Sequence, residues 1–294
     1  METDLKRVHI ELTSKCNLKC VHCTLQTQNY DAQGKELSAE LVEKVIEELF
    51  EKYKNLRVNL QGVGEPSLHP EFIYLIKFIS DKGYVVETTS NLLAASKESY
   101  KQLFDNGLDR LAISIDSLDE DLIKKTRAGT KVKILLENIE YLANLYSSKI
   151  KIQTVVSNLN IEHIDLIYDF LKKIGLKNWQ LIYLNNHDGS EGISSENKIL
   201  LTSKLTNYSD MNILYPQEPA EQICPQPFNT LHINSLGYVM PCCVYWDNNI
   251  INFGNINKEN IHDIFNSKEF NMFRESVNMK KSDICKGCML FKVL

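Results

Sequence analysis

The sequence predicts an α/β fold built on a parallel sheet, and three observations predict it. Short runs rich in Val, Ile, Leu or Tyr alternate with helix-like runs from Arg7 to about Tyr183. Six strands separated by helices make a parallel sheet, because such crossovers are right-handed. The composition, 43% hydrophobic and 24% charged, is that of an ordinary globular chain with enough apolar residues for a sizeable core. Its 294 residues suit one large domain, or one domain with an appendage. Six units are compatible with an open doubly wound sheet or with part of a barrel. Either places function in the loops after the strands' C-terminal ends.

The expected strands are Arg7–Leu12, Arg57–Gln61, Tyr84–Thr89, Arg110–Ile115, Ile150–Val156 and Trp179–Tyr183. Ser38 caps a helix in which Leu41, Val45, Leu49 and Val42, Ile46, Phe50 recur at helical spacing. A second helix runs from about Pro70, with Ile73, Ile76 and Ile79 in register, and stops at Gly83. Further helices fit Ser96–Asn106, Lys131–Tyr146 and Ile161–Ile174. The pattern is lost over 184–221, a polar stretch with one short helix candidate and then Pro216 and Pro219, read as a connection. From Cys224 the texture changes. Thr230–Ile233 and Tyr238–Met240 flank an expected hairpin turn, Asn234-Ser235-Leu236-Gly237, and a helix fits Ile261–Val277. The expected division is therefore 1–184, a connection over 185–223, and a small C-terminal domain over 224–294. Internal repeats and low-complexity tracts are absent from the sequence.

The formal net charge of −5 shows no basic excess of the kind that nucleic acid or an anionic membrane attracts. No stretch approaches the roughly 18 apolar residues of a membrane span. The opening METDLKRVHIEL has no apolar signal-peptide core. A cytoplasmic protein is the expectation, and there thiols stay reduced. The eight cysteines then need a reason other than disulfides. They fall at 16, 20 and 23, then at 224, 242, 243, 285 and 288, which suggests two metal sites.

The first group reads CNLKCVHC, a C-x3-C-x2-C spacing just after the first strand. Three thiolates on one loop can hold three irons of a cubane that normally takes four protein ligands, leaving one iron open to a substrate or cofactor. His22 is a conceivable fourth ligand but sits between two of the cysteines. Zinc is the alternative, and it usually takes paired C-x2-C units closed by four ligands.

These residues resemble the radical S-adenosylmethionine (SAM) superfamily, whose signature is this loop after the first strand of a partial (β/α)6 barrel. The resemblance covers nearly the whole chain. Gly64-Glu65-Pro66 resembles the family's Gly-Gly-Glu-Pro motif, which holds the methionyl amino group of SAM, with Val63 in place of the first glycine. Ser90-Asn91 resembles its Thr-Asn-Gly segment, with Leu92 in place of the glycine. Ser114, Asp116 and Arg127 resemble the fourth-strand region and the basic residue that contacts SAM's carboxylate or ribose, and His22 takes the position beside the adenine. Taken alone, Gly64-Glu65-Pro66 reads equally as a turn, Asp116 as a helix cap and Arg127 as a solvated surface residue. The resemblance implies a SAM-binding 4Fe–4S cluster on Cys16, Cys20 and Cys23, an electron donor such as flavodoxin or ferredoxin, and reductive cleavage of SAM. The resulting 5′-deoxyadenosyl radical takes a hydrogen atom from a substrate carbon.

Cys224, Cys242, Cys285 and Cys288 supply a closed set of four, with zinc again the bland alternative. The arrangement resembles the SPASM and twitch extensions of the superfamily and implies one auxiliary 4Fe–4S cluster. Cys243 is left over. It reads as a small buried residue, as a replacement ligand, or as a hydrogen-atom donor like that of similar radical epimerases. The layout is most similar to aminocyclitol dehydrogenases, which favours oxidation of a small-molecule or peptide substrate in natural-product or peptide tailoring. Epimerisation through Cys243 and peptide crosslinking are the alternatives within the family. Because the first strand begins about seven residues from Met1, crosslinking is expected to need a separate recognition protein. A zinc-stabilised binding protein is the non-enzyme alternative.

Overall fold

A computed structural model describes residues 4–27, 34–184, 192–216, 223–286 and 288. Its strands are β1 (Arg7–Ile10), β2 (Lys19–Cys20), β3 (Arg57–Leu60), β4 (Val85–Ser90), β5 (Arg110–Ser114), β6 (Arg127–Ala128), β7 (Ile150–Val156), β8 (Asn178–Tyr183), β9 (Asn212–Leu214), β10 (Thr230–Ile233) and β11 (Val239–Met240). Nine of them form one sheet in the order β11-β10-β1-β3-β4-β5-β7-β8-β9, and β2 and β6 form a small ladder of their own. Every neighbouring pair in the large sheet is parallel except β10 and β11. All six expected strands are present to within two residues.

Side chains alternate across a strand with a period of two. Val8, Ile10, Val58, Leu60, Val86, Leu111, Ile113, Ile150, Ile152, Trp179 and Leu181 are all buried and belong to one core. They pack beneath the helices Ala39–Lys52, Phe72–Asp81, Lys97–Asp105, Val132–Tyr146 and Ile164–Lys173. The intervening residues, among them His9, Asn59, Glu87, Lys151, Gln153 and Gln180, line a cavity of about 730 Å³ on the other face of the sheet.

The sheet is larger than the sequence pattern suggests. The stretch read as a connection contains the helix Ser195–Leu205 and the strand β9, which pairs in parallel with β8. Residues 185–191 and 217–222 of that stretch lie outside the described residues. The C-terminal strand β10 is added to β1 with Arg7 opposite Thr230, so the segment from Cys224 shares the sheet of the first part. The expected single helix Ile261–Val277 is two, Ile261–Phe265 and Lys268–Asn278. Ser267 caps the second by accepting from Phe270 N at 3.2 Å, a local side-chain bond that competes with a continuous helix. Among the described residues no helix is long and apolar enough to cross a membrane.

His9 and His232 face each other in the ladder, with ring centroids 4.8 Å apart. Burial, then Arg7, holds His9 down to about 4 against an ordinary 6.5. Burial, then His9 and Arg7, holds His232 well below its ordinary value. Between pH 6.5 and 4 the unfolded chain therefore binds a proton that folded His9 refuses, so stability rises with pH across that window. Equilibrium urea unfolding is expected to show a loss of roughly 3 kcal/mol from this residue as pH falls through the window. His9→Gln should flatten that part of the profile. An unchanged slope in the variant would contradict the assignment.

Candidate active site

The loop after β1 carries the first three cysteines, and its path is fixed by polar contacts at both ends. Glu11 is fully buried. Its carboxylate accepts from Val63 N at 2.9 Å, in the loop after β3, and from Ser235 N at 2.9 Å, in the turn after β10. Gly64 lies against the same loop: a Cβ there would stand 2.1 Å from the Thr13 carbonyl oxygen and 2.7 Å from that of Lys15. Glycine is thus required for the two loops to touch. Glu65 N then donates to Lys15 O at 2.8 Å.

Glu65 is a hub for the next loop. Its carboxylate accepts from Ser67 N and Oγ, from Ser90 Oγ at 2.7 Å and from Asn91 N at 2.7 Å. Burial pushes its carboxyl up, against the pull of those donors. Asn91 Nδ2 donates to Asn17 Oδ1 at 2.8 Å and lies 3.9 Å from Cys16 Sγ. Leu92, where the family pattern has glycine, keeps the left-handed backbone with φ of 61°. Its amide donates to Ser90 Oγ, and its carbonyl accepts from Asn138 Nδ2, both at 2.9 Å. These bonds, with complete burial of the side chain, hold a conformation that leucine disfavours.

The small ladder supplies the third side. Cys20 pairs with Arg127, and Val21 N donates to Thr126 O at 2.9 Å. Arg127, itself buried, reaches Asp116 Oδ2 at 3.3 Å. Although burial works against its charge, Asp116 and Cys20 hold the guanidinium above its ordinary value. Asp116 is not the helix cap. Asp119 caps Glu120–Thr126 by accepting from Leu122 N, while Asp116 accepts from Val155 N at 2.9 Å. His22 Nε2 lies 3.8 Å from Asp116 Oδ2, and burial holds its imidazole below the ordinary value. Asn91, Ser114, Asp116 and Arg127 line one cleft. The structure thus brings together every residue that the sequence points to around the first cysteine group.

Cys16, Cys20 and Cys23 lie close enough that Cys23 feels both of the others. Burial raises all three thiols, Cys23 to about 11. Among the described residues no three His, Cys, Asp or Glu side chains converge on a single metal ion. A cubane instead takes its thiolates one per iron, and bound metal reverses the cost of thiol ionisation. The buried Nε of Arg127 has no partner among the described residues, which leaves a donor for an anionic group in the same cleft. The donor set fits a cluster with an anionic ligand beside it.

The far cysteines also gather. Cys224 feels Cys242, Cys288 and Cys285, and Cys243 feels Cys224 and Cys288. Burial pushes Cys224 and Cys242 up to about 12 and Cys243 to about 11. Trp246, which belongs to none of the sequence motifs, joins the two groups. Its indole N–H donates to the Cys243 carbonyl at 2.9 Å. Its ring packs on Leu25 in an apolar cluster that also touches Cys16, Cys23, Val63 and Leu236. The available signal was its position three residues after Cys243. For Glu11 it was the strand alternation, which puts Glu11 on the polar face with Arg7 and His9.

The radical SAM superfamily pattern matches residues 10–171, more than half of the chain, and an iron–sulfur cluster-binding domain pattern, SPASM, matches 224–289. The chain belongs to the radical SAM superfamily. It also carries a SPASM domain, and the cofactors that these two domains imply are SAM and 4Fe–4S clusters. A tungsten-containing aldehyde ferredoxin oxidoreductase cofactor-modifying protein of Pyrococcus furiosus is 22% identical, over 97% of this chain and 88% of its own length. A probable GTP 3′,8-cyclase of Methanococcus maripaludis is 28% identical over 58% of this chain, and the match spans 57% of the cyclase's length. Among solved structures, Streptococcus suis SuiB bound to SAM superposes with a TM-score of 0.74 at 15% identity, covering 92% of this chain and 68% of SuiB. BtrN in complex with AdoMet and 2-DOIA superposes with 0.59 at 18% identity, covering 97% and 93%. These likenesses establish the partial barrel with its C-terminal SPASM domain.

Arg127→Leu would leave Asp116 a buried carboxylate without its counter-charge. A loss of about 3–5 kcal/mol is expected in chemical denaturation, with much of it recovered in the double variant Asp116→Asn/Arg127→Leu. Equal losses in the single and double variants would show that the pair is not coupled.

Proposed function

We propose that this enzyme dehydrogenates a polar small molecule. In this reading Cys16, Cys20 and Cys23 hold the SAM-binding cluster, and Cys224, Cys242, Cys285 and Cys288 hold one auxiliary cluster. The observation that carries the reading is the shared Trp246 contact, because one side chain sits in the apolar cluster that touches Cys16 and Cys23 of the first group and donates to the backbone of Cys243, next to Cys242 of the second. When bound, these groups supply a hydrogen-abstracting radical at the first site and an electron sink at the second. The chain's own residues position and enclose that chemistry. Glu65, Asn91 and Gly64 fix the loops that face SAM's methionyl end, and Ser114, Asp116 and Arg127 form the polar wall. We assign the free Nε of Arg127 to SAM's carboxylate or ribose, and His22 to the adenine side. Leu25 and Trp246 keep water from the partition between the cysteine groups. An electron donor such as flavodoxin or ferredoxin is required. The divisions 1–184, 185–223 and 224–294 remain our proposed functional units, although β10 joins them in one sheet.

Anaerobically reconstituted protein is expected to hold about eight irons per chain, two cubanes' worth, and to release 5′-deoxyadenosine from SAM under reduction. Replacing Cys16, Cys20 and Cys23 together by Ala should remove about four irons and all SAM cleavage. With a turned-over substrate, a product two hydrogens poorer supports dehydrogenation. A product of unchanged formula that carries solvent deuterium, and that is lost in Cys243→Ala, would replace this reading with epimerisation.

A further inference from the structure

We propose that the lumen of the sheet binds an anionic group of the substrate, a carboxylate or a phosphate, with Arg7 and Lys151 as its counter-charges. The inference rests on the enzymatic reading above and narrows the substrate class.

The lumen is a built polar site. A closed barrel of this kind fills its interior with layers of branched apolar side chains. Here the same face carries His9, Asn59, Glu87, Lys151 and Gln153 and encloses about 730 Å³, within the usual range for a small-molecule pocket. Three buried atoms on it, Arg7 Nε, His9 Nδ1 and Asn59 Oδ1, have no hydrogen-bond partner among the described residues. His9 is only 8% exposed. A buried polar group left unpaired is destabilising, so the cavity calls for a ligand with an acceptor for Arg7 Nε and a donor for Asn59 Oδ1.

The charge of the lumen sets the ligand's sign. Arg7, Arg57, Arg110, Lys149 and Lys151 line the cavity against one carboxylate, Glu87. Glu87 is already shared by Arg57 at 3.4 Å and Arg110 at 3.1 Å. Among the described residues Arg7 and Lys151 have no carboxylate at ion-pair distance. Lys151 Nζ donates to Gln180 Oε1 at 2.5 Å, which leaves it two further N–H groups. This positive lumen sits in a chain of net charge −5, so it is a local arrangement that concentrates anions. The same polar face continues along β5 through Ala112 to Ser114 and, beyond the strand, Asp116. Through the ladders Arg7 is level with Val85 and Lys151 with Thr89, so the two stand about 20 Å and about 7 Å short of the level of Asn91 at the rise of a strand. A ligand anchored by its anionic end at Arg7 and Lys151 therefore extends across that interval to reach the cleft of Asn91 and Arg127.

Reconstituted protein with SAM bound should be titrated calorimetrically with inorganic pyrophosphate and, separately, with citrate. Saturable binding of at least one probe is expected, weakened about tenfold or more in Arg7→Gln and Lys151→Gln and partly restored in Arg7→Lys and Lys151→Arg. The tighter probe identifies the anion as phosphate or carboxylate. No saturable binding of either probe, or affinities equal in all variants, overturns the inference. SAM cleavage by the same wild-type preparation is read independently. Cleavage without anion binding sinks this inference alone, whereas absent cleavage sinks the reading beneath it.

Discussion

Each strand of the large sheet must divide its side chains between an apolar face under the helices and a polar face toward the lumen. Most of the structure follows from that division. Val8 and Ile10 are completely buried on one side of β1, while Arg7 and His9 line the cavity on the other. A slip of one residue would exchange the two sets, so the register is held by the full burial energy of the core. With the register fixed, the parallel strands end together and their loops gather at one mouth. Because the inner face is polar and the sheet is not closed on itself, the interior stays a cavity.

Glu11 stands where this polar face meets the mouth. Its carboxylate joins the loops after β1, β3 and β10 through Val63 N and Ser235 N. Hydrogen bonds to a charged group contribute about 1.5–3 kcal/mol each, and they are strongest when buried. Gly62 fits the same spot, since a Cβ there would lie 2.4 Å from the Glu11 side chain. The first cysteine loop and the hairpin leading to Cys242 are therefore pinned to one buried group. The two cysteine groups share the Trp246 contact because β10 lies beside β1, and Glu11 ties the loops that carry them.

The parts of this arrangement that depend on local spacing were legible in the sequence. The runs RVHIEL, RVNLQ and RLAISI show the alternation directly, and the cysteine spacing gave the first site together with its neighbours. The unread parts depend on distant pairing. Nothing local in Thr230–Ile233 says that it will lie beside Arg7–Ile10, 223 residues away in sequence. The strand Asn212–Leu214 is three residues long and only half sheltered, too short to show a period. Ser267 ends one helix and starts another inside a run whose apolar spacing reads as continuous. Asp116 and Asp119 are equally good caps in sequence, and the tertiary partner Arg127 decides between them.

Arg127 shows how the two kinds of information combine. Its place is set by a ladder of two residues per strand, Lys19–Cys20 against Arg127–Ala128, which would have no stability alone. The ladder persists because Arg127 is paired with Asp116, and Asp116 in turn is held by Val155 N on β7. The charge beside Cys20 thus rests on the central sheet. Burial raises the Cys20 thiol and Arg127 opposes it, so the guanidinium offsets part of the cost of a thiolate in this apolar loop. A lysine could supply the charge but could not span carboxylate and sulfur with a rigid planar fork. The same geometry leaves Nε without a partner among the described residues, so one residue closes the cysteine loop on one side and presents a donor to the cleft on the other.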